Sequence, residues 1–282
     1  MSDGAGTHAL TVDLEEWFHI CGAGGPLHPS NWDALPSRVE RTTTALLEMF
    51  DRCGVRATFF VLGYVADRHP ALVASVHRAG HEIGSHGYGH ERVYTLSAEA
   101  FSRDLDRSLR ALEACGVPAP RLFRAPEWSI NDRSLWALDE LVRRGFRIDS
   151  SMAPMRMIGN PEYPQAIHRR PTRHGDIVEC PPAVERRLGQ NVPQGGGWGL
   201  RMTRPAALLR TLERRSAAGR PAVLWVHPWE IDEDPPRVTL PAGQRFAHYF
   251  RLSGFGQRLE TTLRTGGAAM FEPLGDLVRR TA

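Results

Sequence analysis

The sequence predicts an α/β fold built on a parallel sheet. Three observations lead there. Short apolar strands alternate with segments of helical period along most of the chain. The 282 residues, 41% hydrophobic and 24% charged, suit one large soluble core. The residues able to do chemistry fall where strands end and loops begin, the rim on which a parallel barrel gathers its site. About six or seven strand–helix units are legible, which predicts a closed or nearly closed barrel.

Ala9 to Val12 reads as a short buried strand ending at Asp13. Val39, Leu46, Leu47 and Phe50 recur at helical spacing from Arg38 to Arg52, and Gly54 closes that helix. Ala57 to Leu62 is a β-branched and aromatic strand. Tyr64 to Ala79 reads as helix, broken or kinked near Pro70 and stopped by Gly80. Glu82 to Ser85 is a strand. Ser97 opens a helix that runs to about Ala114, and Arg121 to Ala125 is the next strand. Asn131 is the expected cap of a helix reaching Arg144, followed by a strand from Phe146 to Asp149. Met152 to Gln194 is rich in proline and glycine, with one strand expected at Ile177 to Cys180. Arg204 to Ala218 is helical and Ala222 to Val226 is a strongly apolar strand. The last segment, Ala242 to Arg280, reads as helix interrupted at Gly266-Gly267. No repeat or low-complexity linker divides the chain. The expectation is one domain over 1–282, with 228–282 as a C-terminal extension packed on the barrel.

A formal net charge of +3, with no basic run interleaved with aromatics, argues against nucleic acid as a partner. All 35 basic residues are arginine, which a GC-rich genome explains. Four cysteines without a C-x-x-C pair fit a reduced compartment. Met1 to Gly6 lacks the pattern of a signal peptide, and no apolar run approaches the roughly 18 residues of a membrane span. These features predict a cytoplasmic protein with no transmembrane segment. Nothing in the pattern specifies an oligomeric state.

His86 and His90 sit four apart in Ser-His-Gly-Tyr-Gly-His, where Gly87 and Gly89 favour a tight loop. Asp13, Glu15 and Glu16 follow the first strand. Alternation puts Asp13 and Glu15 on one side and Glu16 on the other. Two imidazoles and one carboxylate, with an open position, make a hydrolytic zinc site, and the second carboxylate is left as a base. The same donor set accepts Co²⁺ or Ni²⁺. Arg124, at another strand end, is placed to hold an acidic partner ionised, or to pair at the surface. His227 ends the apolar run Leu224-Trp225-Val226 and reads three ways: core histidine, further metal ligand or general acid. Asp149 is a candidate to orient it, or a turn cap. Gly195-Gly196-Gly197 is no phosphate loop, because no Lys-Ser/Thr follows. Trp128, Trp198 and Trp229 offer flat faces for sugar rings, or core packing.

These residues together resemble the polysaccharide deacetylases, the NodB-homology or carbohydrate esterase family 4 group. Within it the likeness runs to the deacetylases of exosortase/PEP-CTERM exopolysaccharide loci. The matching stretches are Leu10–His19, Arg56–Gly63, Gly80–His90, Phe123–Pro126, His227–Asp232 and, in the extension, Arg245–Tyr249. The resemblance implies a distorted (β/α)7-type barrel and a metal-dependent N-deacetylase of amino-sugar polymers or their oligosaccharide precursors. It makes Asp13 the catalytic base, steadied by Arg124, His227 the catalytic acid, and His86 and His90 metal ligands. Alternation adds Glu15 to the metal ligands over Glu16, and Asp149 is kept as the residue expected to orient His227. Tyr88, Pro126, Glu127, Trp128, Trp198 and Trp229 are the expected substrate contacts. The usual adjacent pair of aspartates is replaced here by Asp-x-Glu. Glu127, where a small or aromatic residue is usual, points to altered specificity. Two other readings keep the site residues: a cyclic imide or ureide amidohydrolase on the same barrel, and a non-catalytic carbohydrate-binding protein.

Overall fold

A computed structural model describes residues 8–281; the polar stretch Met1–Gly6 lies outside them. Strand β1 (His8–Leu14) is buried along its whole length, its polar His8, Thr11 and Asp13 included. Helix α1 (Val39–Cys53) buries Val39, Leu46, Met49 and Phe50 on one face. Gly54 ends it at φ +63°, its N–H returning to Phe50 and Asp51 carbonyls. After β2 (Thr58–Val61), Pro70 divides the expected helix into α2 (Gly63–Arg68) and α3 (Pro70–Arg78). Strand β3 (Glu82–Ser85) follows, then α4 (Ala98–Ala114), capped by the Ser97 hydroxyl on the Ala100 N–H.

Beyond β4 (Leu122–Phe123), the structure corrects the Asn131 cap. Asn131 accepts from the Arg133 N–H in a local turn, tight turns run on through Ser134, and α5 (Trp136–Arg143) begins later. Strand β5 (Ile148–Asp149) is the short fifth strand. The proline-rich stretch holds more order than expected. It forms the hairpins β6 (His168–Thr172) with β7 (Gly175–Glu179), and β8 (Val184–Arg187) with β9 (Gln190–Pro193). The β8–β9 turn has positive φ at Leu188 and Gly189, the backbone of a primed hairpin turn. Helices α6 (Gly197–Met202) and α7 (Pro205–Ala217) lead to β10 (Val223–Val226). The final segment is not one interrupted helix but α8 (Ala242–Tyr249), α9 (Phe255–Gly266), β11 (Phe271–Glu272) and α10 (Leu274–Thr281). Glycines at φ +67° and +55°, Gly254 and Gly267, flank α9 and turn the chain there.

The main sheet runs β10-β1-β2-β3-β4-β5-β7-β6, parallel as far as β7 and antiparallel at β6, with β11 alongside the start of β1. Strand pairing does not close it into a ring. Irregular backbone spans the gap: Ala183 N–H donates to Val223 O at 3.2 Å and Trp225 N–H to Gly195 O at 2.7 Å. Gly195 and Gly196 make this contact possible, because a Cβ on Gly196 would overlap the Trp225 indole and its backbone oxygen. The register sets Val12 beside Val226, Val61 beside Ser85 and Ser85 beside Phe123. Asp13, His86, Arg124 and His227 therefore share one rim. Among the described residues, no helix is long and apolar enough to cross a membrane.

Candidate active site

Glu15, just past β1, and His86 and His90, past β3, are buried and turn one donor atom each toward a common point. Those three atoms all lie within 4.8 Å of one another. His86 Nδ1 lies 2.7 Å from the Arg124 carbonyl, so it carries the proton and Nε2 keeps a lone pair for the site. Burial lowers His86 to about 4, which keeps it neutral at pH 7. Glu15 Oε2 meets His90 Nε2 at 2.6 Å, and Oε1 accepts from the Trp229 indole at 3.1 Å. Burial works to raise the Glu15 carboxyl, but the His90 charge and hydrogen bond, with His227 and His86 behind them, hold it well below the usual range. A persistent carboxylate beside a neutral imidazole is a donor set suited to a divalent cation, which would displace the His90 proton. Glu16 has a different partner. Its carboxylate accepts from the Arg38 and Val39 N–H groups and caps α1. Cys21 Sγ lies 3.4 Å from His90 Nδ1, the ring nitrogen turned away from the site.

Asp13 is 2% exposed and Arg124 fully buried. Arg124 donates to Asp13 Oδ1 at 2.7 Å and to Thr11 Oγ1 at 2.8 Å, while its other arm reaches Ser150 Oγ at 3.0 Å. Asp13 Oδ2 points toward His227 Nε2, 3.9 Å away. The opposite ring nitrogen of His227 lies 3.0 Å from Glu230 Oε2, which also accepts the His227 N–H. Burial works against a charged His227, but the Glu230 hydrogen bond and charge reverse this, and with Glu15 and Asp13 they push it up to about 9.

Asp149 is placed elsewhere. It lies beside Glu179, accepts from Ser151 Oγ, and has no bond to His227. Glu230 occupies the position that the sequence reading gave to Asp149. Burial raises both carboxyls of the Asp149–Glu179 pair, so that they hold a proton between them. Tyr88 also turns away. Its hydroxyl donates to Asp67 at 2.8 Å, and its N–H, with that of Gly89, is taken up by Asp104, so neither N–H is free for an oxyanion. Pro126 is buried beneath the rim. Glu127 and Trp128 do face the cleft, on consecutive backbones at φ +52° and +50°. Glu127 pairs with Arg92. Trp229 faces the cleft but is stacked between His227 and His248 at centroid distances of 5.1 and 4.3 Å. The Trp198 side chain lies outside the described residues.

Sequence reading missed Glu230, Arg201 and Trp225. Glu230 carries a signal, three residues after His227 in the turn that Pro228 starts. Trp225 faces the cleft edge-on to Trp128, at 4.3 Å between centroids. Arg201, 1% exposed, lies 3.1 Å from Glu230 and donates to the His248 and Phe250 carbonyls at 3.0 and 2.8 Å, and to that of Ala247. The cleft these residues line encloses about 310 Å³.

Residues 30–145 match the family model described as polysaccharide deacetylase, and residues 150–276 match a domain of unknown function, DUF3473. A peptidoglycan-N-acetylglucosamine deacetylase of Bacillus cereus is 23% identical over 61% of this chain and 66% of its own length. Chitin deacetylase 1 of Saccharomyces cerevisiae is 35% identical over 32% of this chain and 29% of its own. The chain thus spans less than two thirds of these relatives. A solved polysaccharide deacetylase candidate of Mycobacterium smegmatis shares the fold with a TM-score of 0.62, at 23% identity over 100% of this chain and 92% of that one. Residues 30–145 of the chain thus carry a polysaccharide deacetylase domain.

Proposed function

We propose that this chain is a metal-dependent hydrolase that removes N-acetyl groups from amino-sugar residues of a polysaccharide or its oligosaccharide precursor. The observation that carries the reading is a carboxylate, Asp13, held by Arg124 at Oδ1 with its Oδ2 toward a proton-bearing imidazole, His227, next to the Glu15–His86–His90 donors. A cyclic imide would be opened by the same groups. The names of the relatives, peptidoglycan and chitin deacetylases, favour the acetamido sugar.

Glu15, His86 and His90 would hold the cation, which we take to be Zn²⁺. When bound, it acidifies water and polarises the amide carbonyl. Arg124 fixes one oxygen of Asp13, so Oδ2 is free to take a proton from the attacking water. His227, held through Nδ1 by Glu230, presents a protonated Nε2 to the cleft and gives that proton to the departing amine. Acetate and a free amino sugar leave. Trp128 and Trp225 supply apolar surface for the acetyl methyl and the sugar face. The reading extends to action on an exopolysaccharide precursor inside the cell. What supports this is the likeness to exopolysaccharide-locus deacetylases.

The test combines acetate release from N-acetylglucosamine oligomers with zinc binding by equilibrium dialysis. Asp13→Asn should lose about 10²–10⁴-fold in turnover and keep its zinc. His86→Ala should lose both. Full activity in Asp13→Asn would remove the base assignment, and glycan binding without any acetate release would favour a binding protein.

A further inference from the structure

We infer that the cleft receives the end residue of an N-acetylated glycan, or a short oligosaccharide, and excludes the interior residues of a long chain. The inference rests on the deacetylase reading and adds which sugar residue reaches Asp13. The region matched by the domain of unknown function would then have a task, to wall one side of the site.

On the His227 side, α8 brings Gln244, Ala247 and His248 to the cleft, and His248 lies face to face with Trp229. This wall is fixed. Arg201 is buried and takes three carbonyls at the end of α8, at Ala247, His248 and Phe250, while its charge meets Glu230. A guanidinium bound to three carbonyls at a helix C-terminus complements the helix dipole and pins the helix. Pro193, Gly196 and Gly197 extend the same wall, held to β10 through the Gly195–Trp225 backbone bond.

The His90 side differs. There the cleft shares Ile20 and Arg92 with a second hollow of about 420 Å³, which runs over Gly22 and Gly24 toward Trp32. A glycan seated at Asp13 can leave by this route. An interior residue needs a second way out, and α8 stands across the His227 side. The volume agrees: about 310 Å³ is at the small end of the ~300–1,000 Å³ that ligand sites span, with room for a ring or two.

The experiment gives the zinc-loaded full chain N-acetylglucosamine oligomers of two to six units and locates each freed amine by tandem mass spectrometry. A terminal residue should lose its acetyl group faster than interior ones, by about tenfold or more. Comparable rates at interior residues overturn the inference and leave the deacetylase reading standing. Acetate from no oligomer overturns that reading, and the inference with it. Gln244→Ala trims the wall without touching Asp13, His227 or the metal donors. It should raise interior deacetylation several-fold, and an unchanged positional pattern overturns the assignment of the wall to α8.

Discussion

Glu15 and Glu16 are chemically alike and adjacent, yet one faces two imidazoles and the other two backbone N–H groups at the start of α1. β1 ends at Leu14, and the turn beyond it sends Glu15 to the imidazoles and Glu16 to α1; alternation in the sequence favoured Glu15 but left the pair open. The partner of His227 was less legible. Asp149 stood at a strand end, like the other candidates, but Glu230 reaches back from a turn only three residues on. Turn geometry decided this, and strand-end logic does not contain it. Replacing Glu230 with Gln should lower kcat by about ten- to a hundredfold. It should also move the alkaline limb of the pH–rate profile. In the proposed mechanism His227 is the acid, so activity is present below its pKa and lost above it. Glu230 is the main group raising that value, so Glu230→Gln should shift the loss to lower pH. A bound cation offsets the share contributed by Glu15, and Glu230's share persists. A profile with an unmoved alkaline limb would refute the pairing.

Among the elements, the Gly195–Gly197 run is a seam that also walls the cleft. It lets backbone lie against Trp225 where β7 and β10 do not pair. Gly196→Ala should cost about 3 kcal/mol or more, because the added methyl meets both an indole and a carbonyl that cannot retreat together. Chemical denaturation would read this as a lower midpoint with an unchanged slope. The parallel strands were legible because each is an apolar run between turn signals. Of the hairpins β6–β9 only β7 was, as the strand expected at Ile177 to Cys180. His168–Thr172 is half-buried, carries two arginines and a proline, and lies at the sheet edge, so it lacks the alternation of a two-faced strand. Arg201 was invisible for a related reason. It is one of 35 basic residues, and only the docking of α8 buries it.

Across the whole molecule, buried neutral histidines set a pH limit on stability. His8 and His81 lie away from the site, and each Nδ1 accepts a backbone N–H, from Ala222 at 3.0 Å and from Ala57 at 3.1 Å. Protonation removes that lone pair. Burial, with Arg215 adding to it, lowers His8 from 6.5 to about 4, and burial and Arg56 do the same to His81. The folded values lie below the unfolded ones. Stability is therefore complete above pH 6.5 and falls as pH drops toward 4, by about 3 kcal/mol for His8 alone. Urea midpoints at pH 7 and pH 4.5 should differ accordingly, and His8→Asn, which keeps an acceptor, should narrow the difference.

His8 also begins β1, whose neighbours β10 and β11 come from more than two hundred positions later. On the ribosome those partners emerge long after β1. Until then the first strand has one flank without its mate, and Asp13 at its tip lacks His227. Completion of the site therefore waits on pairings of high sequence separation, the kind that slow folding.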